Sequence, residues 1–259
     1  MKKILKVVIT FFVVFIIVGC TSKNKEDRIL YSWHMKSIYD TNLIKTMKKL
    51  DINVLYQDFS TKYLESSDND FLKEMNKKNI TVYHLFGEPS WGLKNSNKIK
   101  EEIDKVSNYN KNNKYKISGI VLDIESYTED DFNKKKYINI LKEAYMYAKE
   151  NNIKYTICIP VWFKDKDLEK LIYNSDEISL MNYNIDKTVS NMKEEVKIAK
   201  KYKKKINTIY EIKFNNKKHF SSYEKIENDY KKIRNNYDYP ISIAYHHYDS
   251  IVIVDKNDN

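Results

Sequence analysis

The sequence predicts a (β/α)₈ barrel of the α/β class with a truncated last βα unit. Three observations carry this: short β-branched apolar runs alternate about eight times with longer charged amphipathic stretches; no Pro-, Gly- or Ser-rich linker interrupts them; and roughly 230 residues follow the N-terminal segment, the size of one such domain. A doubly wound open sheet is the structural alternative.

The strand candidates are Ile29 to Met35, Ile52 to Tyr56, Ile80 to Phe86, Ile117 to Asp123, Lys154 to Val161, Glu177 to Met181, Ile206 to Ile212 and Ile241 to Tyr245. Between them lie helical candidates such as Thr41 to Leu50, Phe71 to Lys78, Ile99 to Asn113, Glu129 to Asn151, Met192 to Lys203 and Tyr223 to Asn235. Only fourteen residues follow Tyr245, including the strand-like Ile251 to Val254, so a full eighth helix has no room.

Ahead of the barrel, Lys2, Lys3 and Lys6 precede an apolar run from Val7 to Val18, and the chain turns polar at Thr21. A dozen apolar residues fall short of the roughly 20 that span a bilayer, so an export signal over residues 1–19 is expected. Ile17-Val18-Gly19-Cys20 resembles the lipobox of bacterial lipoproteins, which implies diacylation of Cys20, a tether over residues 20–28, the barrel domain over 29–259, and residence on the extracytoplasmic face of the cell membrane. A plain signal peptide with an incidental Cys20 is the alternative.

Composition excludes other classes. Three of the +10 formal charges belong to the signal lysines, which leaves +7 on the remainder. Such charge suits anionic cell-wall polymers or headgroups, but Lys, Asn, Ile and Tyr are enriched throughout with no basic cluster on one element, and no recognition motif points to nucleic acid. Beyond Cys20 only Cys158 remains, in the apolar Tyr155 to Pro160, so no intramolecular disulfide is expected and Cys158 reads as a small core residue. No Cys/His pair has zinc spacing, and adjacent His246 and His247 aim apart on a strand, so neither metal nor cofactor is expected. The chain is expected to act as a monomer.

In such a barrel, chemistry sits where strands end. Trp33 and His34 close the first run, Gln57 and Asp58 the second, Glu88 and Trp91 follow the third, Asp123 and Glu125 close the fourth, Trp162 the fifth, Tyr183 the sixth, Glu211 the seventh, and Tyr245 and His246 the eighth. All three tryptophans are thus expected at one rim. Flat rings beside carboxylates are what a carbohydrate cleft uses, so Trp33, Asp58, Trp91, Trp162, Glu211 and Tyr245 are the candidate glycan-binding residues. Along Ser118 to Glu125, period-2 alternation puts Gly119, Val121, Asp123 and Glu125 on one face and Ile120, Leu122 and Ile124 on the other. The apolar face must meet the helices, so Asp123 and Glu125 point into the barrel mouth, close enough to perturb each other's titration.

These residues resemble the fourth-strand motif D-G-x-D-x-D-x-E of the family 18 glycoside hydrolases, the chitinase-like barrels. Gly119, Asp123 and Glu125 match it, while Ser118 and Val121 replace the first two acids; Met181-Asn-Tyr-Asn184 is similar to that family's M-x-Y-D. The resemblance implies that Glu125 is the acid/base, that Asp123 orients a 2-acetamido group whose carbonyl attacks the anomeric carbon, and that Tyr183 hydrogen-bonds that carbonyl. The family's last-strand tryptophan is absent, its place taken in this reading by Tyr245. Two other readings stay open: a double-displacement glycosidase pairing Glu125 with Glu211, and a noncatalytic carbohydrate or cell-wall binding lipoprotein.

Overall fold

The computed structural model describes residues 26–33, 41–59, 64, 66–213 and 219–251. The expected signal, Cys20, most of the tether and His34 lie outside the described residues. Eight parallel strands close into one barrel in sequence order: β1 (Arg28–Ser32), β2 (Val54–Gln57), β3 (Thr81–Phe86), β4 (Gly119–Leu122), β5 (Lys154–Pro160), β6 (Glu177–Met181), β7 (Lys205–Glu211) and β8 (Ser242–His246). β1 pairs with β8 through Ile29 opposite Ala244, which seals the barrel.

Outside it stand α1 (Thr41–Lys49), α2 (Ser66–Lys77), α3 (Asn97–Asn112), α4 (Lys134–Glu150), α5 (Asp165–Tyr173), the short α6 (Thr188–Asn191), α7 (Lys193–Tyr202) and α8 (Tyr223–Asn236). Sequence and helix agree in mechanism: α4 buries Tyr137, Ile138, Leu141, Ala144 and Ala148, spaced by three and four, and begins where the Asn133 side chain accepts from the Lys136 amide at 3.0 Å. That cap explains why α4 starts later than the periodicity alone suggests. With only four glycines in the chain, left-handed positions at helix ends fall to Asp51, Asn79, Asn152 and Lys203, of which Asp and Asn tolerate that region best. After β8, residues 248–251 form a helical turn with Ile251 buried. The chain there is helical where a strand-like Ile251 was expected, and it buries Ile251 in the helix-facing core; Val252 to Val254 lie outside the described residues.

Alternation divides the apolar residues into two clusters. Ile29, Tyr31, Tyr56, Tyr83, Leu85, Val121, Cys158, Met181, Ile209 and Ala244 fill the barrel interior. Leu30, Leu55, Phe86, Ile120, Leu122, Tyr155, Tyr210 and Tyr245 lie between strands and helices. Toward the strand N-termini the interior is closed by a polar layer, in which Glu177 accepts from Tyr56 Oη at 3.2 Å and Asn207 Nδ2 at 3.0 Å. Burial is the main influence raising the Glu177 carboxyl. Solvent access to a reacting group is therefore from the opposite, C-terminal end.

Candidate active site

β4 ends as alternation dictates: Ile120, Leu122 and Ile124 bury on the helix side and Val121 in the interior. The ladder persists one residue further, since the Asp123 amide donates to the Phe86 carbonyl at 3.0 Å. Here β3 and β4 approach so closely that a Cβ on Gly87 would overlap the Asp123 carbonyl, a place where only glycine fits. The turn that follows is fixed from three sides. Tyr137 Oη donates to the Ile124 carbonyl at 2.9 Å, Thr128 Oγ1 to the Glu125 carbonyl at 2.7 Å, and Ser126 Oγ to the Pro89 carbonyl.

Asp123 Oδ1 is buried with no hydrogen-bond partner among the described residues. Burial first, and Glu125 second, push its carboxyl up to about 7, while the Cys158 thiol offsets part of the rise. Cys158 lies one step along the ladder that pairs Leu122 with Ile157, and its sulfur is 3.3 Å from Tyr31 Oη. Burial also drives that thiol well above its ordinary range. The sequence assigned Cys158 to the core; the structure adds that this core residue underlies Asp123.

Glu125 is half-buried, and its Oε1 accepts from Tyr127 Oη at 2.9 Å. Tyr127 Oη also lies 3.4 Å from Met181 Sδ, which ties the turn after β4 to the end of β6. Tyr183, just past β6, packs on the interior cluster. Its ring is stacked on His219 at 6.0 Å and tilted against His246 at 6.3 Å. Burial, with Asp123 next, holds its phenol far above the ordinary tyrosine range, so it serves as a neutral hydrogen-bonding group.

Glu211 ends β7 on the inward parity of Ile209 and stands opposite His246 in the register. Its Oε2 lies 2.8 Å from Lys213 Nζ and 3.1 Å from His219 Nδ1. Asp58 follows β2 with the inward parity of Val54 and Tyr56, and its amide donates to the Ser32 carbonyl at 2.8 Å.

The aromatic residues divide. Trp33 packs on the interior cluster, and its Nε1 donates to His246 Nε2 at 3.2 Å. Trp162, 46% exposed, is stacked on Phe163 at 4.2 Å and meets Tyr127 edge-on at 5.3 Å, beside the donor to Glu125. Trp91 instead packs against Phe86 at 5.9 Å, on the helix-side cluster.

Tyr245 requires a correction. Its side chain points outward, is buried against α8, and bonds Glu227 while lying 2.5 Å from Arg28 Nη2. It is not a rim residue, because in β8 the inward parity belongs to Ala244 and hence to His246. Burial first, then His247 and Lys213, push the His246 imidazole down to about 3. It is neutral at physiological pH, and since Trp33 donates to Nε2, its proton resides on Nδ1. That Nδ1 is buried without a protein partner among the described residues.

Tyr127 and His219 are thus residues of the mouth that sequence reasoning did not name, and His246, named at the end of the eighth strand, takes the inward place that was given to Tyr245. Tyr127 was within reach of it, two positions beyond Glu125. Two clefts of about 590 Å³ lie elsewhere, one along α3 beside Glu102 and Tyr109, the other between residues 185–193 and α8; neither is lined by Asp123 or Glu125. No group of acids, histidines and cysteines able to hold a metal ion occurs among the described residues.

No protein-family model matches this chain, and no curated protein matches it in sequence. Solved structures do match in fold. The spore cortex-lytic enzyme SleL of Bacillus megaterium QM B1551 superposes with a TM-score of 0.55 at 11% identity, over 90% of this chain and 74% of that one. The ICChI chitinase of Ipomoea carnea gives 0.54 at 12%, over 90% and 100%. Ega3 of Aspergillus fumigatus, in complex with galactosamine, gives 0.52 at 11%, over 86% and 91%. At such identities the likeness shows the shared barrel and nothing finer.

Proposed function

We propose that this chain is a glycoside hydrolase-like protein that acts on N-acetylated glycans by substrate-assisted acid/base catalysis, tethered through Cys20 to the extracytoplasmic face of the membrane. The observation that carries the catalytic reading is Asp123 beside Glu125 at the strand C-termini, with the Asp123 carboxyl kept protonated to about pH 7. A carboxyl retaining a proton next to a second carboxyl is the arrangement that acid/base chemistry needs. The shared fold of a chitinase and a spore cortex-lytic enzyme agrees with a glycan substrate.

In this scheme the proton that Asp123 retains passes to Glu125, which delivers it to the glycosidic oxygen as the bond from that oxygen to C1 breaks, leaving Asp123 as the carboxylate that accepts from the acetamido N–H. The 2-acetamido carbonyl of the substrate bonds to C1, and Asp123 and Tyr183 hold the resulting oxazolinium through its nitrogen and oxygen. Glu125 then takes a proton from the water that opens it, so configuration is retained. Trp33 and Trp162 are assigned to sugar stacking and Asp58 to a hydroxyl at the rim.

A second reading rests on Glu211, which faces the mouth from the end of β7 with Lys213 and His219 at its Oε2. Turnover of chromogenic N-acetylglucosaminides by Glu125→Gln and Glu211→Gln separates the two. Substrate assistance expects Glu125→Gln to abolish turnover, Glu211→Gln only to weaken binding, and a thiazoline to inhibit. Equal damage from both, with a 2-fluoro glycoside covalently labelling Glu211, would replace it by double displacement. Glycan binding without hydrolysis of any glycan would leave a binding protein. The tether is checked separately by mass spectrometry of membrane-fraction protein, where an unmodified Cys20 peptide rejects it.

A further inference from the structure

The end of the barrel opposite the mouth carries a charge pattern that the glycan chemistry does not use. Every helix of this fold runs antiparallel to the strands, so all helix C-termini and the loops into the next strands gather at one face. Lys or Arg stands in the last turn of each of the longer helices: Lys48 and Lys49 in α1, Lys77 in α2, Lys111 in α3, Lys149 in α4, Lys170 in α5, Lys200 and Lys201 in α7 and Arg234 in α8.

A helix macrodipole accounts for a cation in a last turn. It does not account for lysines beyond the helix ends. Lys114 and Lys116 lead into β4, Lys154 opens β5, and Lys203, Lys204 and Lys205 run unbroken into β7. Several acids of the same face are engaged within the fold: Glu26 pairs with Arg234, Asp27 with Lys205, Asp238 with Lys200, and Asp176 with Lys149 while also accepting from the Tyr155 amide; exposed Asp51 and Glu150 are outnumbered by the lysines around them. Lys111, Lys114, Lys154 and Lys203 are exposed, and no acidic side chain among the described residues forms an ion pair with them. At the mouth the loop after β4 has the opposite sign, with Asp123, Glu125, Glu129, Asp130 and Asp131 in nine residues.

The chain enters the barrel at this basic face, through Glu26 and Asp27 into β1. The seven residues from Thr21 to Asp27 reach at most about 25 Å when extended, so a Cys20 held at a bilayer keeps this face within a few Debye lengths of the headgroups.

We propose that the face formed by the strand N-termini and the αβ loops is an electrostatic docking surface for anionic phospholipid headgroups, which holds the barrel with its mouth directed away from the bilayer. The inference extends the Cys20 tether to the barrel's orientation and is independent of the glycan chemistry. Each lysine near an anionic leaflet contributes about fivefold in binding.

The test is co-sedimentation of the full chain with vesicles of phosphatidylcholine, alone or with phosphatidylglycerol. We expect a preference for the anionic vesicles that high salt removes. Substituting Lys111→Gln, Lys114→Gln, Lys154→Gln and Lys203→Gln together should lower that preference at least tenfold. The same number of changes on the mouth side, Lys94→Gln, Lys98→Gln, Lys135→Gln and Lys136→Gln, should leave it within about twofold, with circular dichroism confirming that both variants are folded. Trp33, Trp91 and Trp162 all lie toward the mouth, so brominated lipid should leave their emission unquenched. Equal loss from the two sets of substitutions, no anionic preference, or quenched tryptophan emission overturns the proposal. In a Cys20→Ala chain the same anionic preference decides the face alone, so failure of the tether and failure of the surface are distinguishable.

Discussion

Tyr127 donates a 2.9 Å hydrogen bond to Glu125 from within the same short turn, so the proposed acid/base has its donor built in two residues downstream. A hydrogen bond to a carboxylate is worth about 1.5–3 kcal/mol, and most of it bears on how the carboxyl is aimed. Tyr127→Phe should therefore lower kcat on an N-acetylglucosaminide by about ten- to a hundredfold while leaving the thermal midpoint nearly unchanged. Steady-state kinetics beside a melting curve checks this. Unaltered kcat would remove Tyr127 from the mechanism.

Asp123 makes stability depend on pH with a definite sign. Its carboxyl is raised from 3.8 to about 7 by burial and Glu125, so the folded protein holds a proton that the unfolded chain releases. The contribution is fully present below about pH 4 and is lost as pH rises through 7. Asp123→Asn removes the charge that must otherwise be buried. It should stabilise the protein relative to the parent by about 1–3 kcal/mol at pH 8, seen as a higher thermal midpoint, and much less at pH 4. Calorimetry at both values provides the measurement, and a gain that does not vary with pH would show that Asp123 ionises freely.

Trp33 sets the tautomer of His246. With Nε2 accepting from the indole at 3.2 Å, nitrogen-correlated NMR should show the Nδ1-protonated form, uncharged at pH 5, because burial holds its titration down at about 3. In Trp33→Phe the indole donor is gone, and the spectrum should show a mixture of tautomers with a stability loss of about 1 kcal/mol. A single unchanged tautomer in the variant would refute the assignment.

Tyr245 should behave as a structural residue. Its hydroxyl joins Arg28 and Glu227, and the Arg28 guanidinium lies over its ring at 5.6 Å. Tyr245→Phe is expected to cost about 1–2 kcal/mol, since it strips a partner from a partly buried ion pair, and to leave KM for glycans unaltered. A raised KM at normal stability would return Tyr245 to the binding surface.

Much of this fold is legible in the residues because a parallel barrel writes its strands as short apolar runs. The parity of Ser118 to Glu125 placed Val121 inward and Ile120, Leu122 and Ile124 outward, which is where their side chains lie. Parity failed at β8 only through its application: Tyr245 was taken for its aromatic ring, although it alternates with Ala244. Trp91 was placed by its proximity to β3, but a 3-10 turn over Pro89–Gly92 turns it onto Phe86, and turns reset alternation. The place of Cys158 below Asp123 depends on the pairing of β4 with β5, segments that the linear pattern does not connect, whereas Tyr127 meets Glu125 through the geometry of their shared turn, which alternation does not describe.

The seam between the first and last strands determines when this molecule can exist at all. The Asp27 amide bonds to Ser242 Oγ across 215 residues of chain, and Ile29 has Ala244 as its neighbour on one side. During synthesis β1 emerges first and must wait for β8, its far-side partner, until almost the whole polypeptide has left the ribosome. Every nascent intermediate therefore exposes two unpaired strand edges, the situation in which chains recruit chaperones or aggregate. Closure so late, between such distant segments, makes the final step slow and cooperative. A chain ending before residue 242 would lack the strand that completes the ring, however well its first seven units had formed.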